Sequence, residues 1–313
     1  MLYTLGGRTP RWASAQPNAP SPYGQGQCAP PASDALWEDW VRTIATRYKG
    51  RIRLWEIWNE ADLSDFYCGT PERLVRLSQQ AYAVLKQVDP ANRVLSPGFS
   101  GAPGPGYLDS FLALGGGQHA DIIAYHFYVG LPEEAVGGRL TNLRTVLARH
   151  RMSSKPLWNT EQGWIEIPGP APLPETVGAA YVARAYLLNW AYGLARTFYY
   201  TWDNQWNRFA FTRADGVTPT LAGVAYREVA DWMTGRVMGS FTRDARGTVL
   251  VTLRDANGTR RYVLWNTTRG VAYALPATWG AALTRRSAPA GRGGGGRAWT
   301  RSRGSATISP PAR

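Results

Sequence analysis

The stretch RLWEIWNEADLSDFYCGT, residues 53–70, sets two carboxylates, Glu56 and Glu60, beside Trp55 and Trp58 in a run whose apolar residues do not alternate with polar ones. Such a run suits a parallel strand buried on both faces. A buried, unpaired carboxylate is costly or shifts its pKa to stay neutral, so each acid needs a partner or a task.

Five more runs of the same kind lie around it: LYTLG (2–6), RVLSPG (93–98), DIIAYHFY (121–128), PLWNTE (156–161) and TFYYTW (197–202). Helical patterns separate them. Trp37, Trp40, Val41, Ile44 and Tyr48 recur at three- and four-residue spacing, as do Leu74, Leu77, Ala81, Leu85 and Val88 after a Thr70-Pro71 start signal. Further helices are expected at about 139–150, 176–194 and 220–234. Six βα units in succession predict an α/β fold with a parallel sheet and right-handed crossovers, either doubly wound or a (β/α)₈ barrel. After Gly235 the pattern changes. GTVLVTLRDANGTRRYVLWNTT reads as a hairpin turning at Asn257-Gly258, and GVAYALPA adds a third strand. The expected organisation is a catalytic (β/α) domain over 1–235, a small β-sandwich-like appendage over 236–284, and a basic tail over 285–313 with too few apolar residues to fold.

Composition narrows the functions. The 313 residues include 14 Trp and 16 Tyr, enough for a sizeable core. The net charge of +13 is concentrated in the tail, whose seven arginines stand without an acid; elsewhere 28 basic groups face 22 acidic ones. No nucleic-acid-binding motif appears, so nucleic acid is not expected as a partner. No apolar run is long enough to span a membrane, and MLYTLGGRTP lacks the sections of a signal peptide. Two cysteines, Cys28 and Cys68, fit either one bridge or two free thiols. GRGGGG precedes no helix and is no phosphate loop, and no metal or cofactor site is visible.

Polar and aromatic residues gather where the predicted strands end: Asn59 and Glu60, His126 and Tyr128, Glu161, and Trp202. The carboxyl ends of parallel strands form the binding face of such folds, so distant positions converge there. Two carboxylates across a cleft suit glycoside hydrolysis, and tryptophan beside them suits the apolar face of a sugar ring. Strand alternation alone would aim Asn59 and Glu60 to opposite faces, so both reach one site only if the strand end kinks or bulges. Glu56 shares the side of Glu60 but lies deeper, and reads as a buried acid paired with an arginine. Trp12, Trp164 and Trp206 fit either sugar platforms or packing. His119 and His150 read as solvated.

Taken in order and at their separations, WEIWNE, YHFY, WNTEQGW and YYTWDN resemble the fourth, sixth, seventh and eighth strands of retaining glycoside hydrolases of clan A, nearest to the family 39 group and its bacterial exopolysaccharide-hydrolase relatives. The resemblance runs from about residue 2 to residue 280. It implies a (β/α)₈ barrel, Glu60 as general acid/base and Glu161 as nucleophile. It further implies that Asn59 binds the sugar 2-hydroxyl, Tyr128 holds the nucleophile, His126 orients the pair and Trp202 floors the subsite. The implied substrate is a β-linked oligo- or polysaccharide, cleaved without a cofactor. A secreted or periplasmic location is also implied, although no signal peptide is present in this chain. On this numbering LYTLG is the third strand, so the first two strands have no counterpart and a barrel lacking them is expected, with LYTLG as an edge. A rival reading is a catalytically silent carbohydrate-binding remnant. Cys28 and Cys68 then follow adjacent strands, over one face, where they could bridge.

Overall fold

The computed structural model describes residues 1–101, 103–128, 132–164, 174–204, 207–267, 271–276, 279, 282–285, 297–300 and 305–308. The chain forms two compact units. One comprises Met1–Tyr128, Glu134–Gln162 and Leu194–Phe198; the other comprises Val129–Glu133, Gly163–Gly193 and Tyr199–Arg313. This division falls inside the 1–235 segment rather than at Gly235.

The first unit is built on the six predicted strands: β1 (Leu2–Gly6), β2 (Leu54–Trp58), β3 (Arg93–Leu95), β4 (Ile123–His126), β5 (Leu157–Gln162) and β6 (Arg196–Tyr199). They form two three-stranded sheets, β1-β2-β3 and β4-β5-β6, joined by a parallel bridge between Leu95 and Ile122. Sequence order is thus spatial order, the arrangement of a barrel-type sheet rather than of a doubly wound one. Among the described residues β1 pairs only with β2 and β6 only with β5.

Helix α1 (Asp34–Arg47) starts where the Ser33 hydroxyl accepts the Leu36 N–H, and it buries Trp37, Val41 and Ala45, one turn apart. Helix α2 (Pro71–Val88) has Thr70 as N-cap and Pro71 in its first turn, the two residues that signal its start in the sequence. Helix α3 (Gly104–Ala113) was not expected, because its first turn, Gly-Pro-Gly, carries the residues that usually break helices. Helix α4 (Pro132–Arg149) precedes β5.

In the second unit, α5 (Glu175–Ala191) and α6 (Leu221–Met233) accompany an aromatic core of Trp164, Tyr181, Phe209 and Phe211. An antiparallel sheet of β7 (Arg236–Arg243), β8 (Thr248–Asp255) and β9 (Arg260–Asn266) contains the predicted hairpin, with Gly258 at φ 85° in its turn. β7 was not read from the sequence. β10 (Val271–Ala274) is the expected third strand, but it pairs with the tail. The tail, expected to be disordered, contributes β12 (Arg297–Thr300), paired with β11 (Ala282–Arg285), and β13 (Ser305–Ile308), paired with β10. Strand pairing satisfies backbone groups with few apolar side chains, so composition did not reveal it. The rest of the tail lies outside the described residues. No helix is long and apolar enough to cross a membrane among the described residues.

Candidate active site

Side chains on one face of the parallel sheet stack in layers. The lowest is apolar: Leu95, Ile122, Ala124 and Trp158, with Leu2, Leu54 and Phe198 against them. Two residues further along the strands, period-2 alternation brings Thr4, Glu56, His126 and Thr160 onto the same side. This second layer is polar and closed. Thr4 Oγ1 donates to Glu56 Oε2 at 2.8 Å and Thr160 Oγ1 donates to Glu56 Oε1 at 2.7 Å. His126 Nε2 lies 3.8 Å from Glu56 Oε1. The arginine expected beside Glu56 is therefore replaced by a histidine and two hydroxyls, each from a different strand. The sequence could not show this, since Thr160 is 104 residues away.

Above this layer the backbone leaves regular strand geometry twice. Glu60 has φ 43°, the left-handed region that side chains other than glycine seldom adopt. That turn ends the regular alternation of β2 just after Asn59, the kind of kink that Asn59 and Glu60 would need in order to reach one site. Between β4 and β5 the register passes from Tyr125↔Asn159 to His126↔Glu161, a bulge that leaves Thr160 unpaired. Consecutive residues Thr160 and Glu161 can then both face the histidine, one in each layer.

The third layer brings together Glu60, His126, Tyr128 and Glu161. His126 Nδ1 is 3.1 Å from Glu60 Oε1 and 3.9 Å from Glu161 Oε2. The Tyr128 hydroxyl donates to Glu161 Oε1, and the Tyr128 carbonyl accepts from Arg139 on α4 at 3.1 Å. One atom from each of Glu60, His126 and Glu161 lies within 4.8 Å of the other two. Nδ1 meets Glu60 at hydrogen-bonding distance. Asn59 is half-buried, its N–H bonded to the Gly6 carbonyl at 3.1 Å.

Burial works against a charged His126, but the carboxylates of Glu56, Glu60 and Glu161 around it outweigh that cost and push its pKa up to about 10. Burial pushes the Glu161 carboxyl up from the ordinary range, with His126 and Tyr128 acting in the opposite sense. Asp62, just beyond the kink, accepts the Ser100 N–H at 2.8 Å; burial raises it to about 6. The sequence reading passed over Asp62, Thr4 and Thr160, none of which carries a motif.

The other expected residues have the following surroundings. Trp202 belongs to the second unit, 58% exposed, with its indole N–H directed at the Gly216 carbonyl. Trp164 is core in that unit, Trp12 is 79% exposed in the first, and Trp206 lies outside the described residues. The two histidines read as solvated are engaged: His150 Nε2 pairs with Asp109 at 2.7 Å, and the half-buried His119 ring packs edge-on against Tyr82. Cys28 and Cys68 form a disulfide with Cα atoms 5.2 Å apart, and the Cys68 N–H donates to the Cys28 carbonyl. It ties the loop after β1 to the loop that begins at Glu60.

No protein-family model matches the sequence, and no curated protein matches it. Solved structures do match. A family 39 glycoside hydrolase from Bacteroides cellulosilyticus WH2 superposes with TM-score 0.69 at 20% identity, over 89% of this chain and 61% of that one. A glucosidase from Croceicoccus marinus gives 0.64 at 18% identity, over 91% and 61%. A family 39 β-xylosidase from Caulobacter crescentus gives 0.53 at 20%, over 73% and 55%. The chain thus spans about three-fifths of the length of the first two. At these identities the likeness speaks to architecture: the chain has the barrel-type α/β fold of family 39 glycoside hydrolases.

Proposed function

We propose that this protein is a retaining glycoside hydrolase that cleaves a β-linked oligo- or polysaccharide. The observation that carries the reading is the placement of Glu60 and Glu161 at the same nitrogen of one imidazole, with oxygen atoms within 4.8 Å of each other. Retaining pairs are separated by about 5–5.5 Å, whereas inverting pairs stand about 6.5–9.5 Å apart to admit a water. The fold of family 39 glycoside hydrolases supports the same class of reaction, and its structural neighbours, among them a glucosidase and a β-xylosidase, support a sugar substrate.

In the first step Glu60 donates its proton to the glycosidic oxygen while a Glu161 oxygen attacks the anomeric carbon. The bond to the leaving group breaks and a glycosyl ester forms on Glu161. In the second step Glu60 takes a proton from water, whose oxygen attacks the same carbon and releases Glu161. Two inversions leave the configuration unchanged. Tyr128 holds the nucleophile through its hydroxyl, and His126 orients the pair. Asn59 binds the 2-hydroxyl of the sugar. The residues assign no step to a cofactor.

The test is hydrolysis of aryl β-glycosides of several sugars by the wild type, Glu161→Ala and Glu60→Ala. Glu161→Ala should abolish turnover of every substrate. Glu60→Ala should spare dinitrophenyl glycosides, whose leaving group needs no proton, and fail on alkyl glycosides. Equal losses on all substrates would overturn the assigned roles, and a wild type inactive on sugars of every configuration would overturn the enzyme reading.

A further inference from the structure

Glu56 has no part in the steps above, yet it is 3% exposed and lies beneath the reacting carboxylates. A lone buried acid would be expensive unless its charge were used. Both of its oxygens are occupied by threonine hydroxyls from β1 and β5, which fixes the carboxylate in one orientation. The His126 ring stands above it, 1% exposed, with Nε2 toward Glu56 at 3.8 Å and, among the described residues, hydrogen-bonded to no acceptor. The opposite nitrogen faces Glu60 and Glu161. Gly98 closes the remaining side. A Cβ at that position would fall 2.6 Å from His126 Nε2 and 3.1 Å from Glu56 Oε1, so the pair fits together only against glycine.

We propose that Glu56 is a positioning residue of this site: held by Thr4 and Thr160, it fixes the His126 ring as a permanent cation whose Nδ1–H faces both reacting carboxylates. The inference rests on the glycosidase reading and adds a purpose to the layer below it. In the double displacement, negative charge resides on Glu161 before attack and on Glu60 once the glycosyl ester has formed. A single N–H, 3.1 Å from one carboxylate and 3.9 Å from the other, can serve each in turn without moving the ring. That requires a ring that keeps both protons at every stage, which Glu56 supplies from the side away from the sugar. Among the described residues, the charged or titratable groups around the ring are Glu56 from β2, Glu60 from the turn after β2, Asp62 beyond it, and Glu161 from β5 with Tyr128 behind it.

The test uses the full chain with Glu56→Gln, which keeps the shape and removes the charge, and Gly98→Ala, which displaces the ring while leaving every charge in place. Glu56→Gln should lower kcat about tenfold at pH 8 and less than about threefold at pH 5, where the ring is protonated in either protein, with KM little changed. The basic limb of its kcat–pH profile should therefore move to lower pH. By NMR of the imidazole nitrogens, the wild-type ring should stay doubly protonated to about pH 9 and the Glu56→Gln ring should lose a proton below it. Gly98→Ala should lower kcat with altered ring resonances. A Glu56→Gln protein with wild-type ring titration and pH profile, whatever its melting temperature, would overturn the proposal and leave Glu56 as a packing residue. If the wild type hydrolyses no glycoside, the functional reading fails by itself. The ring titration then still decides whether Glu56 holds the cation.

Discussion

Loss of the Cys28–Cys68 bond should destabilise the first unit by an amount that follows from its place in the chain. The two residues are 40 apart in sequence, and closing a loop of that length in the unfolded chain removes entropy equivalent to about 4 kcal/mol at room temperature. The native state gives little of this back. Cys28 is 1% exposed, the Cys68 N–H donates to the Cys28 carbonyl at 2.9 Å, and both flanking loops keep their own backbone hydrogen bonds. For a unit of this size a loss of about 4 kcal/mol should lower the unfolding midpoint by roughly 8–16 °C. The assay is thermal unfolding followed by circular dichroism, with and without reductant, beside the double variant Cys28→Ser/Cys68→Ser, after thiol titration has established the starting state. The reduced protein and the double variant should agree. A midpoint that moves by less than about 3 °C in both would refute the reasoning, because the loops would then be ordered without the link.

Three further outcomes follow from particular contacts. Asp62 titrates near 6 in the folded protein against 3.8 ordinarily, so its contribution to stability is present below about pH 4 and is lost as pH rises through 6; Asp62→Asn should match the wild type at pH 4 and exceed it by about 2–3 kcal/mol at pH 8 in urea unfolding, and an equal difference at both pH values would contradict this. Gly6→Ala would place a Cβ 2.1 Å from the buried Trp58 ring, so it should cost about 1–3 kcal/mol, and a neutral effect would mean the ring can move aside. Thr70→Ala removes the hydroxyl that accepts the Arg73 N–H at the start of α2, and should cost about 1 kcal/mol, where Thr70→Ser should cost little.

The strands of the first unit were legible because each is a short run without polar alternation, the mark of a sheet covered on both faces. The later hairpin was legible from Asn257-Gly258, which few other structures accommodate. The ends of strands were not. Glu60 adopts a left-handed conformation and Thr160 sits in a bulge, departures from regular strand geometry that the alternation of either strand alone does not show. The partner of Glu56 shows the same limit. A buried carboxylate signals that it needs a partner but not which one. Here hydroxyls from positions 4 and 160 meet a histidine from position 126, a set assembled only by the order of strands in the sheet. Helix α3 escaped notice for a local reason, since its Gly-Pro-Gly start reads as a turn.

In the double displacement Glu161 becomes covalently attached to the sugar. The most direct measurement is mass spectrometry of the protein, intact and after digestion, following incubation with 2-fluoro-β-glycosides that carry a dinitrophenyl leaving group. The fluorine slows both steps by withdrawing charge from the anomeric centre, and the good leaving group restores the first, so a glycosyl ester accumulates. One added fluoroglycosyl mass is expected, carried by the peptide that contains Glu161, and it should be lost in Glu161→Ala. Steady hydrolysis of the parent glycosides with no adduct, or an adduct on Glu60, would contradict this assignment.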